Sequence, residues 1–426
     1  MMATAVSSPT LQCMSCGAAH ELAALFDGCS ACASERGRAP LEVIYDYAGW
    51  RSAGLLDTWR KRIPGVWGYR ELLPLPVADE PVTLGEGGTP LMRIPDSGPA
   101  RLWIKNEARN PTGAHKDRFH SVGVSMARKF GFDRSTSGTT GNHGASLAAY
   151  TAVAGMRCII FCHPQSPVVL RHLAQLHGAD VIVTLNRYEH LVWLTHERGW
   201  FPSTGLTPMP VGNPFGVEGY KSIGYEIFFQ LGGRMPNHVL IPVAKGDALY
   251  GPWKGLREIA ALGHDSEPLP RMYAVQSTGC DPVVQGFKQK SKSVPVHPNP
   301  DTIALSIGDA TAAPISLSTL YDSGGAAVAV SDEEILAAVR RLARSGVAAE
   351  PSGAASVAAA LKMNAQGAFA PGENVVSVVT GAAVKWPREL EMAIESHELQ
   401  DRDVGAIRAW IDGRSRTADA GHLTNR

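Results

Sequence analysis

The sequence predicts an α/β protein: two domains with mostly parallel sheets flanked by helices, plus a small Cys-rich N-terminal extension. Three observations predict it. The chain has 426 residues, enough for two or three cores. Short apolar runs alternate with helical patterns from about Leu102 onward, and repeated βα units of this kind build parallel sheets covered on both faces. Four of the seven cysteines fall in two close pairs near the start.

Composition narrows the function classes. The 40 Lys+Arg balance 40 Asp+Glu, so the basic footprint that phosphate-backbone binding needs is missing, and nucleic acid is not an expected partner. No run of 18 or more apolar residues occurs, and Met1 to Thr10 has neither a basic start nor an apolar stretch. A soluble, cytoplasmic protein away from the membrane is therefore expected. The cysteines are too few for a disulfide scaffold.

In order along the chain, Cys13, Cys16, Cys29 and Cys32 form two C-x-x-C knuckles that can converge on one tetrahedral ion. Such a set leaves no open position, so a zinc ion held there would be structural. A metal-free loop that keeps its thiols is the other reading. Leu102 to Lys105 reads as a strand, and Asn110 to Gly113 as a turn into a helix with Phe119, Val122, Met126 and Phe130 on one face. Next come a small-residue helix over Ala145–Ala154, a strand Arg157–Cys162, a helix Val169–Leu176 and a strand Val181–Leu185. The alternation resumes with strands Val239–Val243 and Met272–Gln276 around a helix Trp253–Ala261. It closes with helices Glu333–Ala343 and Gly353–Met363 and a buried strand Asn374–Thr380. Cys158, Cys162 and Cys280 are expected in the core.

The segment Asn110 to Arg118 is the most informative one, because it sets Lys116 in the first turn of a helix that follows a strand and a Gly turn. The positive end of the helix dipole favours the neutral amine, which suits attack on a carbonyl. Taken alone, such a lysine is more often a solvated charge.

Leu84 to Leu91 (LGEGGTPL), Lys105-Asn-Glu107, Asn110 to Arg118 (NPTGAHKDR), Glu218 to Lys221 (EGYK), Glu350-Pro351 and Thr380-Gly381 stand in an order that resembles threonine synthase. They equally resemble its fold-type-II relatives that use pyridoxal phosphate. The Cys knuckles, Tyr45 to Tyr47 and Tyr69 to Pro74 are also similar to the N-terminal part of some threonine synthases. The resemblance runs from Cys13 to about Lys385.

The resemblance implies that Lys116 carries pyridoxal 5'-phosphate as a Schiff base and moves the α-proton of an amino-acid substrate. It implies Asn142 on the cofactor's ring oxygen and the hydroxyl of Thr380 at the pyridine nitrogen. Thr139, Thr140, Gly141, His143 and Gly144 would surround the substrate, with backbone N–H groups receiving its carboxylate. The cofactor phosphate is expected at Val243, Ala244, Lys245, Gly246 and Asp247. Relatives use a glycine-rich stretch at that point, and only Gly246 survives of it; Lys245 adds a charge and Asp247 opposes one.

Other departures bear on the substrate. His115 precedes Lys116, Phe119 follows Arg118, and Gly216 stands where relatives that bind a phosphorylated substrate often have an arginine. Gln165-Ser166 replaces an expected basic pair, leaving Arg171 as the main cation nearby. An imidazole at His115 or His143 could assist proton transfer or serve as a plain loop residue. Tyr220 and Lys221 are read as structural residues at a helix start.

The expected domains are residues 1–39 (zinc-ribbon-like extension), 40–122 and 212–411 (large cofactor domain), 123–211 (small α/β domain) and 412–426 (polar tail). The expected activity is that of a lyase catalysing β/γ-elimination or replacement, threonine synthase-like, converting O-phosphohomoserine to threonine and phosphate. A serine/threonine dehydratase or β-replacement enzyme is the alternative, and a non-catalytic scaffold or sensor the alternative of another class. A homodimer is expected on symmetry and family habit.

Overall fold

The computed structural model describes residues 6–32, 38–95, 98–206, 213–394 and 407–409. Its N-terminal part is an antiparallel sheet of β1 (Thr10–Cys13), β2 (Ala19–His20) and β3 (Leu41–Ile44), ordered β2-β1-β3. β3 buries Leu41 and Val43 on one face, the period-2 pattern of a half-covered strand. Two short helices, α1 (Tyr47–Ser52) and α2 (Leu55–Trp59), lead away from it, and the Asp46 carboxylate caps α1 by accepting from the Gly49 N–H at 2.8 Å.

The chain enters the larger sheet through β4 (Leu91–Arg93) and β5 (Arg101–Asn106) and leaves it on α3 (Lys116–Lys129). The smaller sheet follows: β6 (Arg134–Thr139), α4 (Asn142–Val153), β7 (Arg157–Cys162), α5 (Val168–Leu176), β8 (Asp180–Val183), α6 (Arg187–Arg198) and β9 (Phe201–Pro202). Its order is β8-β7-β6-β9, all parallel. The return runs α7 (Pro214–Gln230), β10 (His238–Pro242), α8 (Asp247–Ala261), β11 (Arg271–Ser277), α9 (Pro282–Lys288), α10 (Ile315–Asp322) and β12 (Ala326–Val330). It ends with α11 (Asp332–Arg344), α12 (Pro351–Ala365), β13 (Asn374–Val379) and α13 (Pro387–Ala393). The larger sheet reads β12-β11-β10-β13-β5-β4, parallel except for β4 against β5.

These residues form these elements for local reasons. All five residues of β10 are buried, as are the last five of β13, and such apolar, β-branched runs suit strands covered on both faces. α11 starts on a capping box between Ser331 and Glu334 and ends with Arg341 and Arg344. The Asn213 side chain accepts from the N–H groups of Phe215 and Gly216 to start α7, with Pro214 in the first turn.

Close helix packing sets the site. A Cβ on Gly219 would collide with the carbonyl of Arg118, and one on Gly251 with Tyr220. Glycines thus let α3, α7 and α8 approach at backbone distance. Beneath the start of α3 lies a buried ion cluster: Arg118 donates to Glu107 at 2.6 Å and to Glu226 at 2.7 Å, and Lys105 donates to Glu226 at 2.5 Å. A second cluster joins the N-terminal sheet to the body, where Glu218 pairs with Lys221 at 2.6 Å and Lys254 at 2.7 Å and accepts from Tyr45 at 2.7 Å.

The expected strands and helices are all present, with ends moved by a few residues. One placement is corrected: Tyr220 and Lys221 lie in the middle of α7, because the helix starts at Asn213-Pro214. Cys158, Cys162 and Cys280 are buried as expected. Residues 412–426 and the expected boundary at residue 211 fall outside the described residues. No helix among those described is long and apolar enough to cross a membrane.

Candidate active site

A cavity of about 640 Å³ opens at the carboxyl ends of β6, β10 and β13, where open α/β sheets bind ligands. Lys116, Asn142, Thr380 and the Val243–Asp247 loop share its wall. The turn before α3 aims Lys116 inward, and the amine donates to the Tyr220 hydroxyl at 3.1 Å. Burial lowers its pKa to about 8, against the pull of the Asp247 and Glu350 charges. About a tenth of this amine is then neutral at pH 7, far more than of an ordinary lysine, and the neutral form is the nucleophilic one.

Asn142, the first residue of α4, donates through Nδ2 to both oxygens of Glu350, at 3.0 and 2.8 Å. Its Oδ1 is buried and has no partner among the described residues. Burial pushes the Glu350 carboxyl up, opposed by Lys385 and by the Asn142 bond. Thr380 follows β13, and its carbonyl accepts the His115 N–H at 3.0 Å. The same carbonyl lies 3.0 Å from His115 Nδ1, so that nitrogen carries the proton. His115 stacks on Tyr220 with ring centroids 5.2 Å apart.

At the other end, Gly246 caps α8 with φ of 116°, a conformation that favours glycine. The first N–H groups of α8 have no intrahelical acceptor, and the helix dipole adds positive character at this end. Lys245 donates to Asp309 and to Thr311, both at 2.7 Å. Burial raises the Asp247 pKa, with Lys116 and Lys245 pulling it back.

The β6–α4 turn differs from expectation in one respect. The N–H groups of Gly141 and Gly144 donate to Thr139 Oγ1, at 2.9 and 3.2 Å. Thr140 and His143 stand on the cavity wall, while Gly141 and Gly144 do not line it. Arg187, not the expected Arg171, is the arginine on this wall, and its buried Nε has no acceptor among the described residues.

Sequence reasoning missed Tyr220, Arg187 and His120. Tyr220 carried a signal, since Gly216 and Gly224 stand four residues to either side of it and mark where neighbouring helices approach closely. His120 lies four residues after Lys116, hence on the same helix face. Arg187 lacked any local signal.

In the extension, Cys13, Cys16, Cys29 and Cys32 place their sulfurs within 4.8 Å of one another. The closest sulfurs are Cys13 with Cys32 at 3.7 Å and Cys16 with Cys29 at 3.9 Å, and His20 Nε2 stands 3.5 Å from Cys29.

Comparison with known proteins agrees with this architecture. The model of the pyridoxal-phosphate dependent enzyme family matches residues 82–381, and the chain belongs to that family. It is 36% identical over 389 residues to threonine synthase of Methanocaldococcus jannaschii, covering 88% of this chain and 93% of that one. It is 35% identical over 415 residues to threonine synthase of Methanosarcina acetivorans, covering 95% of this chain and 99% of that one. The protein is a threonine synthase-like lyase whose cofactor is pyridoxal phosphate. Among solved structures, tomato threonine deaminase isoform 2 aligns at a TM-score of 0.62 and 18% identity, over 83% of this chain and 93% of that one. Maize serine racemase aligns at 0.61 and 20%, over 71% and 91%. These two likenesses establish the fold-type-II architecture.

Proposed function

We propose that the cavity binds an amino acid on pyridoxal phosphate and runs a threonine synthase-like β/γ-elimination or replacement, with O-phosphohomoserine as the first substrate to assay. The convergence of the Lys116 amine, Asn142 and Thr380 on one cavity carries this reading. The residues fit the cofactor chemically. Asn142 brings an amide Nδ2 to the cavity wall, where it donates to Glu350, and these N–H groups are the donors that a ring oxygen would accept from. The α8 start with Lys245 and Gly246 suits a phosphate, and Thr380 offers a neutral hydroxyl to the ring nitrogen. When bound, the cofactor supplies an electron sink for the pair released at the α-carbon.

The chain's own groups then divide the work. Lys116 holds the cofactor and, once displaced by the substrate amine, takes the α-proton on Nζ. Val243, Ala244 and Gly246 offer backbone around the phosphate, and Asp247 is tolerated there because burial favours its neutral form. Thr139, Thr140 and His143 are assigned to the substrate side, Gly141 and Gly144 form the turn behind them, and Tyr220 orients the Lys116 amine. A serine/threonine-type dehydration is the second reading. It is favoured because the Phe119 ring occupies the space beside Gly216 where a phosphate-binding side chain would stand.

The reading extends further. The four thiolates hold a structural zinc, residues 40–122 with 212–411 form the large domain and 123–211 the small one, and the protein is a cytoplasmic homodimer. Purified protein is expected to be yellow, with a borohydride-reducible adduct that Lys116→Ala abolishes. Phosphate release from O-phosphohomoserine, compared with keto-acid formation from threonine or serine, separates the two reactions. A colourless protein that ignores added pyridoxal phosphate overturns both. Equal zinc in wild type and Cys13→Ser overturns the metal site, and light scattering of the purified protein tests the dimer.

A further inference from the structure

Next to the lysine lies a hydrogen-bonded chain of buried side chains that the reaction above leaves idle. It starts at Asp117, whose carboxylate accepts from Thr112 through N–H at 2.7 Å and hydroxyl at 2.6 Å. Asp117 Oδ1 lies 2.6 Å from Ser146 Oγ. Ser146 Oγ lies 2.9 Å from His120 Nδ1, and His120 Nε2 lies 3.2 Å from His143 Nε2. Ser203 Oγ braces the junction, 2.9 Å from His120 Nε2 and 3.0 Å from His143 Nε2. Asp117, His120, Ser146 and Ser203 are buried, whereas His143 is partly exposed on the cavity wall. A buried path thus ends at a ring that a ligand can touch.

The path has two orders of protons, related by a shift along every link, and in one of them a donor faces the cavity. With His143 Nε2 engaged inside, Nδ1 is the ring nitrogen left to meet a ligand. In that order His143 holds its proton on Nδ1 and accepts on Nε2 from His120 Nε2–H. His120 accepts on Nδ1 from the Ser146 hydroxyl, which accepts from Asp117 when that carboxyl is protonated. We propose that His143 is the acid that protonates the departing oxygen of the substrate's β or γ substituent, resupplied through His120 and Ser146 from Asp117. The C–O bond breaks with its pair on oxygen, the Nδ1 proton moves to that oxygen, and one proton shifts along each link. Asp117 ends as the carboxylate, and both imidazoles return neutral in the other tautomer. No charge is left on a buried ring, which suits a site where burial holds His120 and His143 neutral. Burial also raises the Asp117 pKa to about 6, so a protonated fraction exists near neutrality.

Other donors are less suited. The His115 Nδ1 proton is held by the Thr380 carbonyl, and its ring is stacked on Tyr220. Lys116 is occupied with the α-proton. Phe119, whose ring centroid lies 5.3 Å from that of His143, offers no donor and fixes the imidazole from one side.

This assignment rests on the proposed reaction, and its test separates the two. On whichever of O-phosphohomoserine, threonine or serine the wild type turns over fastest, His143→Asn is expected to lower product formation by ~100-fold. Exchange of the substrate α-proton with D2O should fall far less, and added imidazole should restore turnover to His143→Gly. Ser146→Ala, which does not reach the cavity, should change the solvent deuterium isotope effect on product formation, and Ser146→Thr should restore it. Exchange and turnover falling together, or neither falling, overturns the assignment. A wild type that exchanges no α-proton overturns the reaction instead. In that case 15N NMR of the cofactor-free protein still decides the relay: Nδ1–H on His143 with Nε2–H on His120 supports it, and Nε2–H on His143 overturns it.

Discussion

The ring of Phe119 lies where a side chain on residue 216 would stand, so Gly216 is the backbone on which Phe119 packs. The first turns of α3 and α7 are thereby fitted to each other, and the space is closed to a long cation.

Gly216→Arg alone is therefore expected to destabilise the protein by about 1–3 kcal/mol through overpacking. Phe119→Gly opens the same space, so the double variant should lose less stability than the sum of the two singles. Urea titrations of all three measure this. Strict additivity would show that the ring and residue 216 do not compete. A lower KM for O-phosphohomoserine in the double variant alone would locate the substrate phosphate there.

Lys116 holds its amine near a pKa of about 8, below the ordinary lysine value, so the unfolded chain binds more protons between those two pH values. Stability should rise with pH across that window, and below it the buried charge costs the cofactor-free protein its full penalty. Lys116→Met is expected to stabilise cofactor-free protein at pH 7, on the order of 1–3 kcal/mol. A variant no more stable than wild type in urea would mean that the amine is well solvated.

Glu226 accepts from both Arg118 and Lys105, and these cations hold its carboxyl at about 2 despite burial. A depressed carboxyl contributes fully above its unfolded value and loses that contribution as pH falls toward about 2. Glu226→Gln is expected to cost about 3–5 kcal/mol at pH 7, because buried Lys105 loses its carboxylate partner and Arg118 keeps only Glu107. The variant should also show a flatter stability profile between pH 5 and 2. Wild-type steepness retained in the variant would assign the acid sensitivity to other groups.

Asp247 starts the helix proposed to meet the cofactor phosphate, and burial raises its pKa. Its charge grows with pH and then opposes a dianion. Asp247→Asn should tighten pyridoxal phosphate, most strongly at the alkaline end, as read by absorbance titration from pH 6 to 9. Weaker binding at every pH would mean that the carboxylate positions the loop and does not oppose the phosphate.

Much of this was legible in the chain. Valine-rich runs such as Asn374 to Val379 became buried parallel strands, because a strand covered on both faces has no solvent side to show. Lys116 could be placed at a helix start, since the turn before it and the apolar face after it are local signals. The knuckle cysteines are near neighbours in sequence, and their convergence follows from two tight turns.

Tyr220 reads from the sequence as a structural residue at a helix start, but α7 begins at Asn213-Pro214, and only packing against α3 turns its hydroxyl to the Lys116 amine, 104 residues earlier in the chain. Arg187 reached the cavity wall in place of Arg171 through the crossover that brings α6 under β6.

Local patterns thus determined the elements, the lysine and the thiol cluster, since each depends on residues within a turn or two of one another. Only the tertiary structure decided which groups meet across long separations: Asn142 with Glu350, His143 with Ser203, and Phe119 over Gly216. Such pairings arise where sheets and helices close on one another, and burial at that point, not sequence spacing, sets which protons these groups hold.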